Sequence, residues 1–158
     1  MPHNISFQSL GARSRMSGET TGGVRLVLRL EGVCVLMAAS VAYSKFGFGW
    51  GTFALFFFTP DLSFLGYLAG PKVGAVSYNL AHFYIGAIAC LVAGFVLTGP
   101  SLLCAGIIWC AHIGFDRALG YGLKYSEGFG FTHLGRIGRF SGATPAPAVN
   151  RTVRDEIA

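Results

Sequence analysis

Charge is what this 158-residue chain has least of: Asp, Glu, Lys and Arg together make up 12% of it, against about 25% in soluble domains. That scarcity, beside 53% hydrophobic residues and a mean hydropathy of +0.56, excludes an ordinary water-soluble domain. Acidic residues number only seven, which leaves a net charge of +5. A basic groove with interleaved aromatics is absent, so this surplus does not point to nucleic acid; the basic residues stand in the tails and beside apolar runs. Cysteine is sparse as well. Cys34, Cys90, Cys104 and Cys110 all fall in apolar stretches with no CxxC pair, so they read as small packing residues rather than metal or redox groups.

What is present is apolar sequence, with 23 glycines and 14 phenylalanines; glycine is more frequent in helices embedded in lipid than in soluble ones. Four apolar segments, 26–46, 49–69, 73–97 and 100–120, each approach the ~20 residues needed to cross the hydrocarbon. The expected fold class is therefore all-α, a four-transmembrane-helix antiparallel bundle with cytoplasmic N- and C-terminal tails. Residues 1–23 read as a disordered polar tail, 24–122 as the transmembrane domain, 123–140 as an interfacial cytoplasmic segment folding back under the bundle, and 141–158 as a disordered C-terminal tail. A secretory signal peptide is the competing reading of the first segment; Glu31 and the lack of a small-residue cleavage site count against it.

Short loops make consecutive helices antiparallel neighbours. In that topology every Lys and Arg except Lys45 falls on one side, which the positive-inside rule makes cytoplasmic. The expected location is the bacterial inner membrane, multi-pass, with both termini cytoplasmic and membrane lipids as surroundings. Gly66 and Gly70 form a GxxxG spacing, and Gly106, Cys110 and Gly114 a second ridge of small residues. Both suit close helix packing within the chain, with a homo-oligomer face as the alternative.

Ionisable residues inside such spans cost about 2.5–3.5 kcal/mol each at mid-bilayer, so their distribution carries information. The first segment holds Glu31, the second Asp61, the third Asn79 and His82, the fourth His112, Asp116 and Arg117. At 1.5 Å per residue all lie within about 12–15 Å of the cytoplasmic helix ends. His112 and Asp116 are i, i+4 and Asn79 and His82 are i, i+3, so each pair shares a helix face. Pro60 removes a backbone donor and lets the second helix bend towards the interior at Asp61. The expectation is a shared polar site in which Asp61, His82, His112 and Asp116 hold a divalent cation such as Zn²⁺, Mn²⁺ or Fe²⁺, with Asp61 and Asp116 as catalytic carboxylates.

Plainer readings stand beside this one. His112 and Asp116 can form a neutral hydrogen-bonded pair that only orders the helix, Glu31 can pair with Arg25 or Arg29, and Asn79 can bridge helices. Arg117 can snorkel to the interface or bind an anionic head group. His133 either reaches the site from below or is a surface histidine. Lys124, Arg136 and Arg139 suit anionic lipid.

Five ordered stretches carry a family resemblance: "RLEG" (29–32), "PDLSFLGYLAGPKVGA" (60–75), "YNLAH" (78–82), "HIGFDRALGYGLKY" (112–125) and "THLGRIG" (132–138). Together they resemble the domain-of-unknown-function 4260 family of small bacterial membrane proteins, over about residues 26–139. That resemblance implies the membrane setting and is nearly silent on activity. The order Pro-Asp, then His, then His-x-x-x-Asp is also similar to the pattern of membrane-bound metal-dependent hydrolases, which implies a metal held by the same four residues. The function expected first is a metal-dependent membrane hydrolase acting on a lipid-linked or amphiphilic substrate. The alternatives are a non-enzymatic ion or proton carrier, haem ligation by His82 and His112, and a structural or accessory membrane subunit.

Overall fold

The computed structural model describes Thr20, residues 22–126 and residues 129–137. Four helical stretches in it are long and apolar enough to cross a membrane: Gly22–Lys45, Trp50–Ala69, Pro71–Val96 and Pro100–Leu119. Their bounds lie within four residues of the apolar segments, and the chain is a multi-pass membrane protein. Large apolar side chains face outward in numbers that water would not tolerate, with Leu55, Ile85, Phe95, Val96 and Leu68 between 68% and 87% exposed. The disordered tails expected at 1–23 and 141–158 lie outside the described residues, except for Thr20, Gly22 and Gly23. Helix α1 already begins at Gly22.

The first and fourth spans are continuous. Helix α1 (Gly22–Lys45) buries only a narrow stripe, Gly32, Ala39 and Tyr43, and lays it along the last helix. That helix starts at Pro100, which gives up no hydrogen bond at an N-terminus. It ends at Gly120, whose φ of 94° is open to glycine and costly for other residues. There the Gly120 amide donates to the Arg117 carbonyl (3.0 Å) and the Tyr121 amide to the Asp116 carbonyl (2.8 Å), closing a Schellman turn. Contact between α1 and this helix is backbone to backbone. A Cβ at Gly114 would stand 2.7 Å from the Leu36 nitrogen, and one at Gly32 would stand 2.8 Å from the Gly114 oxygen.

The second and third spans are broken. Helix α2 (Trp50–Phe56) stops after two turns, and the chain rewinds as a 3₁₀ helix over Thr59–Ala69. Three residues per turn give three straight rows of side chains, and the sequence supplies them as triplets, PDL-SFL-GYL. Leu62, Leu65 and Leu68 face outward at 65%, 64% and 87% exposed. Pro60, Ser63 and Gly66 form a small row; Ser77 donates to the Ser63 carbonyl at 2.9 Å, and a Cβ at Gly66 would overlap the Ser77 side chain. Asp61, Phe64 and Tyr67 form the inner row. Gly70, at φ 110°, turns the chain into the third span. Its Cβ position meets nothing within 4 Å, so Gly70 is a turn residue and not half of a GxxxG ridge.

The third span is α3 (Pro71–Ala81), a break at His82–Phe83, and α4 (Tyr84–Val96). Helix α3 packs on the 3₁₀ helix, and α4 packs on the fourth span, numbered α5 (Pro100–Leu119). The other proposed ridge also divides: Gly106 meets Leu91 of α4, whereas Gly114 meets α1.

The structure is mostly helical, as expected, with one small addition. The segment after α5 is a small antiparallel hairpin, β1 (Phe131–Thr132) with β2 (Gly135–Arg136), extended by a bridge between Lys124 and Thr132. Thr132 Oγ1 donates to the Gly135 carbonyl at 2.6 Å and Leu134 is 2% exposed. The Thr20 amide and hydroxyl both donate to the His133 carbonyl (2.8 and 3.0 Å), so this hairpin is tied to the start of α1.

Candidate metal centre

Each break in the spans places a ligand-type side chain. His82 closes α3 at φ −115°, ψ 18°, where the helical hydrogen bonds end. Two carbonyls freed there are taken up by α5: Trp109 Nε1 donates to Ala81 O, and Arg117 Nη2 donates to His82 O at 3.1 Å. Unwound backbone in a membrane requires such partners. Asp61 comes from the first turn of the 3₁₀ helix. Helix α5 contributes His112 and Asp116, one turn apart.

The structure brings these four together. One ligand atom from each of Asp61, His82, His112 and Asp116 lies within 4.8 Å of the others. His82 Nε2 is 3.0 Å from His112 Nε2, 3.3 Å from Asp61 Oδ1 and 3.5 Å from Asp116 Oδ2; His112 Nε2 is 3.5 Å from Asp61 Oδ1. Ligands held ~2.0–2.1 Å from a tetrahedral Zn²⁺ would stand about 3.3–3.4 Å apart. The observed spacings bracket that value. His112 is 0% exposed, His82 1% and Asp116 8%.

Tautomer and charge support the same fit. His82 Nδ1 lies 2.9 Å from the Tyr78 carbonyl oxygen, which can only accept, so Nδ1 carries a proton. In the neutral ring Nε2 then presents a lone pair. That lone pair faces two carboxylate oxygens and the second imidazole nitrogen. His112 can fill that lone pair by donating from its own Nε2 (3.0 Å), and with that proton displaced two imidazoles and two carboxylates are the mixture that borderline divalent cations take. The Tyr78 hydroxyl donates to Asp116 Oδ2 at 2.8 Å, and its ring stacks on His82 at 3.7 Å and 14°. His82 and Asp116 are thus both held from behind, as ligands to a metal usually are. His112 differs: its Nδ1 has no partner among the described residues, and Phe57 packs edge-on to the ring at 5.4 Å. Imidazole nitrogens 3.0 Å apart leave no room for a macrocycle between them, so the haem reading fails on geometry.

The remaining polar residues lie outside the four. Glu31 is exposed on α1. Asn79 clamps the chain after α5: its Nδ2 donates to Lys124 O (2.9 Å) and its Oδ1 accepts from Lys124 N (2.7 Å). Arg117, besides the His82 carbonyl, donates to Tyr121 O. That second bond and the helix break, not snorkelling, account for its position. His133 Nδ1 accepts from the Leu123 amide at 2.8 Å and takes no part in the group of four. Burial, reinforced by the Arg117 charge, holds its imidazole below the usual range.

Lys124 overturns its reading as a lipid-binding surface residue. It is 4% exposed, with Nζ 3.8 Å from the Phe129 ring centroid, 4.6 Å from that of Tyr78 and 5.5 Å from that of Phe64. Its ammonium donates to Phe129 O at 3.1 Å. Burial pushes Lys124 down to about 8, while Asp116 and Asp61 act the other way. The side chains of Arg136 and Arg139 lie outside the described ones. Tyr78 and Lys124 were missed by sequence reasoning. Tyr78 was within reach of it, because it stands four residues before His82 and so shares its face.

Over residues 25–137 the chain matches the family described as "Domain of unknown function (DUF4260)". No curated protein matches, and no solved structure does. With most of its length inside that match, the chain belongs to the DUF4260 family, as a multi-pass membrane protein with a His₂Asp₂ group able to hold a metal ion.

Proposed function

We propose that this protein is a metal-dependent hydrolase of the bacterial inner membrane acting on an amphiphilic, lipid-like substrate. Its four spans run antiparallel, with both termini and the metal centre towards the cytoplasmic side. The orientation is supported by the gathering of every Lys and Arg but Lys45 on one side in this topology. The observation that carries the proposal is the convergence of four ligand-type atoms from three spans, three of them on buried residues, within 4.8 Å of one another. Membrane lipids are its surroundings, and nucleic acid is not a partner.

A bound divalent cation supplies Lewis-acid chemistry, acidifying water towards neutral pH. The two carboxylates then divide the work by their surroundings. Asp116 accepts from Tyr78 and has a side chain 12% exposed, so it is held as a fixed ligand. Asp61 has a side chain 30% exposed, and it is the group with room to take a proton from water and pass it on. Zn²⁺ suits the spacing best, with Mn²⁺ and Fe²⁺ as the other candidates.

A transmembrane carrier would need polar stations across the full thickness. From Pro100 to Ala111, α5 has no Asp, Glu, Lys, Arg or His, and the first span offers only Lys45 at that end, which favours the enzyme over an ion relay. A purely structural or accessory subunit is an outcome of the test below. Elemental analysis of detergent-purified protein is expected to give one transition metal per chain, and none in His112→Ala. Metal-free wild-type protein, or equal metal in the variant, would refute the proposal.

A further inference from the structure

A cleft of about 590 Å³ opens between α2 and α5, within the ~300–1,000 Å³ typical of small-molecule sites. Its walls are nearly all apolar: Phe48, Phe56 and Pro60 on one side, Ala105, Ile108 and Trp109 on the other. Phe56 is 50% exposed and Ala105 is exposed, so the cleft is open along its length.

On both walls the lining of the cleft reaches residues next to the candidate metal centre. On α5 the lining residues Ser101, Ala105 and Ile108 are spaced i, i+4, i+7. His112 continues that row one turn further on, about 6 Å along the axis. On the second span the lining residues Thr59 and Pro60 directly precede Asp61. An apolar cleft thus ends beside the polar group, and it extends from there away from the hairpin and Lys124.

Resting on the hydrolase reading, we infer that this cleft holds the hydrocarbon chain of the substrate while its polar head lies at Asp61, His82, His112 and Asp116. The substrate class is then a long-chain amphiphile of the leaflet nearer the hairpin. Its position favours a chain. From Pro100 to Ile108 the cleft is about 12 Å long at 1.5 Å per residue, and its lining continues to Thr59 and Pro60, next to Asp61, where a polar head would lie. A hydrocarbon chain, about 4–5 Å wide at van der Waals contact, fits along that length. The hydroxyls at its rim, Thr52, Thr59 and Ser101, carry no charge that would repel it.

The test uses the full chain in phosphatidylcholine vesicles doped with phosphatidylglycerol whose acyl chain bears a photoreactive diazirine. Labelled positions are mapped by mass spectrometry, with the outward row Leu62, Leu65 and Leu68 reporting contact with bulk lipid. Labelling of Phe56, Ala105 and Ile108 is expected to exceed that reference by about fivefold, the factor given by ~1 kcal/mol of preference. Ala105→Trp and Ser101→Trp, both at exposed positions that fill the cleft, are expected to remove the excess and to keep the wild-type metal content. Equal labelling of cleft and reference row, or an excess that survives both variants, would overturn the inference. Metal content in the same samples separates the two claims. Metal present with uniform labelling defeats the cleft alone; cleft labelling in metal-free protein defeats the hydrolase reading and upholds the chain site.

Discussion

Replacing Gly114 by alanine perturbs the contact that sets the position of both α5 ligands. The new methyl would stand 2.7 Å from the Leu36 nitrogen and 2.8 Å from the Gly32 oxygen, against about 3.5–4.0 Å for a relaxed contact. Both neighbours are backbone atoms, so no side chain can turn aside. Helices α1 and α5 must part by roughly 0.7–1.3 Å, and His112 and Asp116 sit two residues either side of the strained position. Overpacking of this kind costs about 1–3 kcal/mol. At ~2–4 °C per kcal/mol for a chain of this size, the unfolding midpoint in detergent should fall by roughly 2–12 °C, and metal affinity should fall with it. The control is Gly51→Ala in α2, where a Cβ meets nothing within 4 Å. There the helical preference of alanine acts alone, and the midpoint should hold or rise by the equivalent of about 0.5–1 kcal/mol. If Gly114→Ala also held or rose, the close approach of α1 to α5 would be wrong.

Three further outcomes are expected. Lys124 is lowered from 10.5 to about 8 by burial, so between those values the unfolded chain binds the extra proton and stability rises with pH, by at most about 3 kcal/mol. Denaturation midpoints measured from pH 7.5 to 10.5 should show this rise in wild type and lose it in Lys124→Met; equal slopes would contradict the buried ammonium. Arg117→Met strips the donor from the His82 carbonyl and should cost about 1–3 kcal/mol, with Arg117→Lys recovering part; an unchanged midpoint would remove Arg117 from the helix break. Zn²⁺ at ~100 times its dissociation constant should stabilise chelator-treated protein by about 2.7 kcal/mol, and the response should vanish in His82→Ala. A response that persists there would locate the metal elsewhere.

The four spans were legible in the sequence because lipid imposes a simple rule: about twenty apolar residues in a row. The meeting of Asp61, His82, His112 and Asp116 was legible because each is too costly to expose to hydrocarbon. What stayed hidden depended on distant partners. The sequence around His82, "NLAHFYIG", contains no proline, and its break exists because Arg117 and Trp109 of another helix donate to the freed carbonyls. Lys124 looked like a surface charge because its aromatic cage comes from three separate elements. Gly106 and Gly114 looked like one ridge, yet eight residues at 3.6 per turn leave them about 80° apart around the axis, enough to face different neighbours. The triplet PDL-SFL-GYL was visible throughout. Testing the second segment against a period of three as well as 3.6 would have found the 3₁₀ helix and its three rows.

X-ray absorption at the metal edge of purified, metal-loaded protein tests the central claim most directly. Two imidazole nitrogens with carboxylate oxygens, at about 2.0–2.2 Å for zinc, is the predicted coordination, with one imidazole lost in His82→Ala. A spectrum dominated by sulfur, or one identical in wild type and His82→Ala, would contradict a metal held by Asp61, His82, His112 and Asp116.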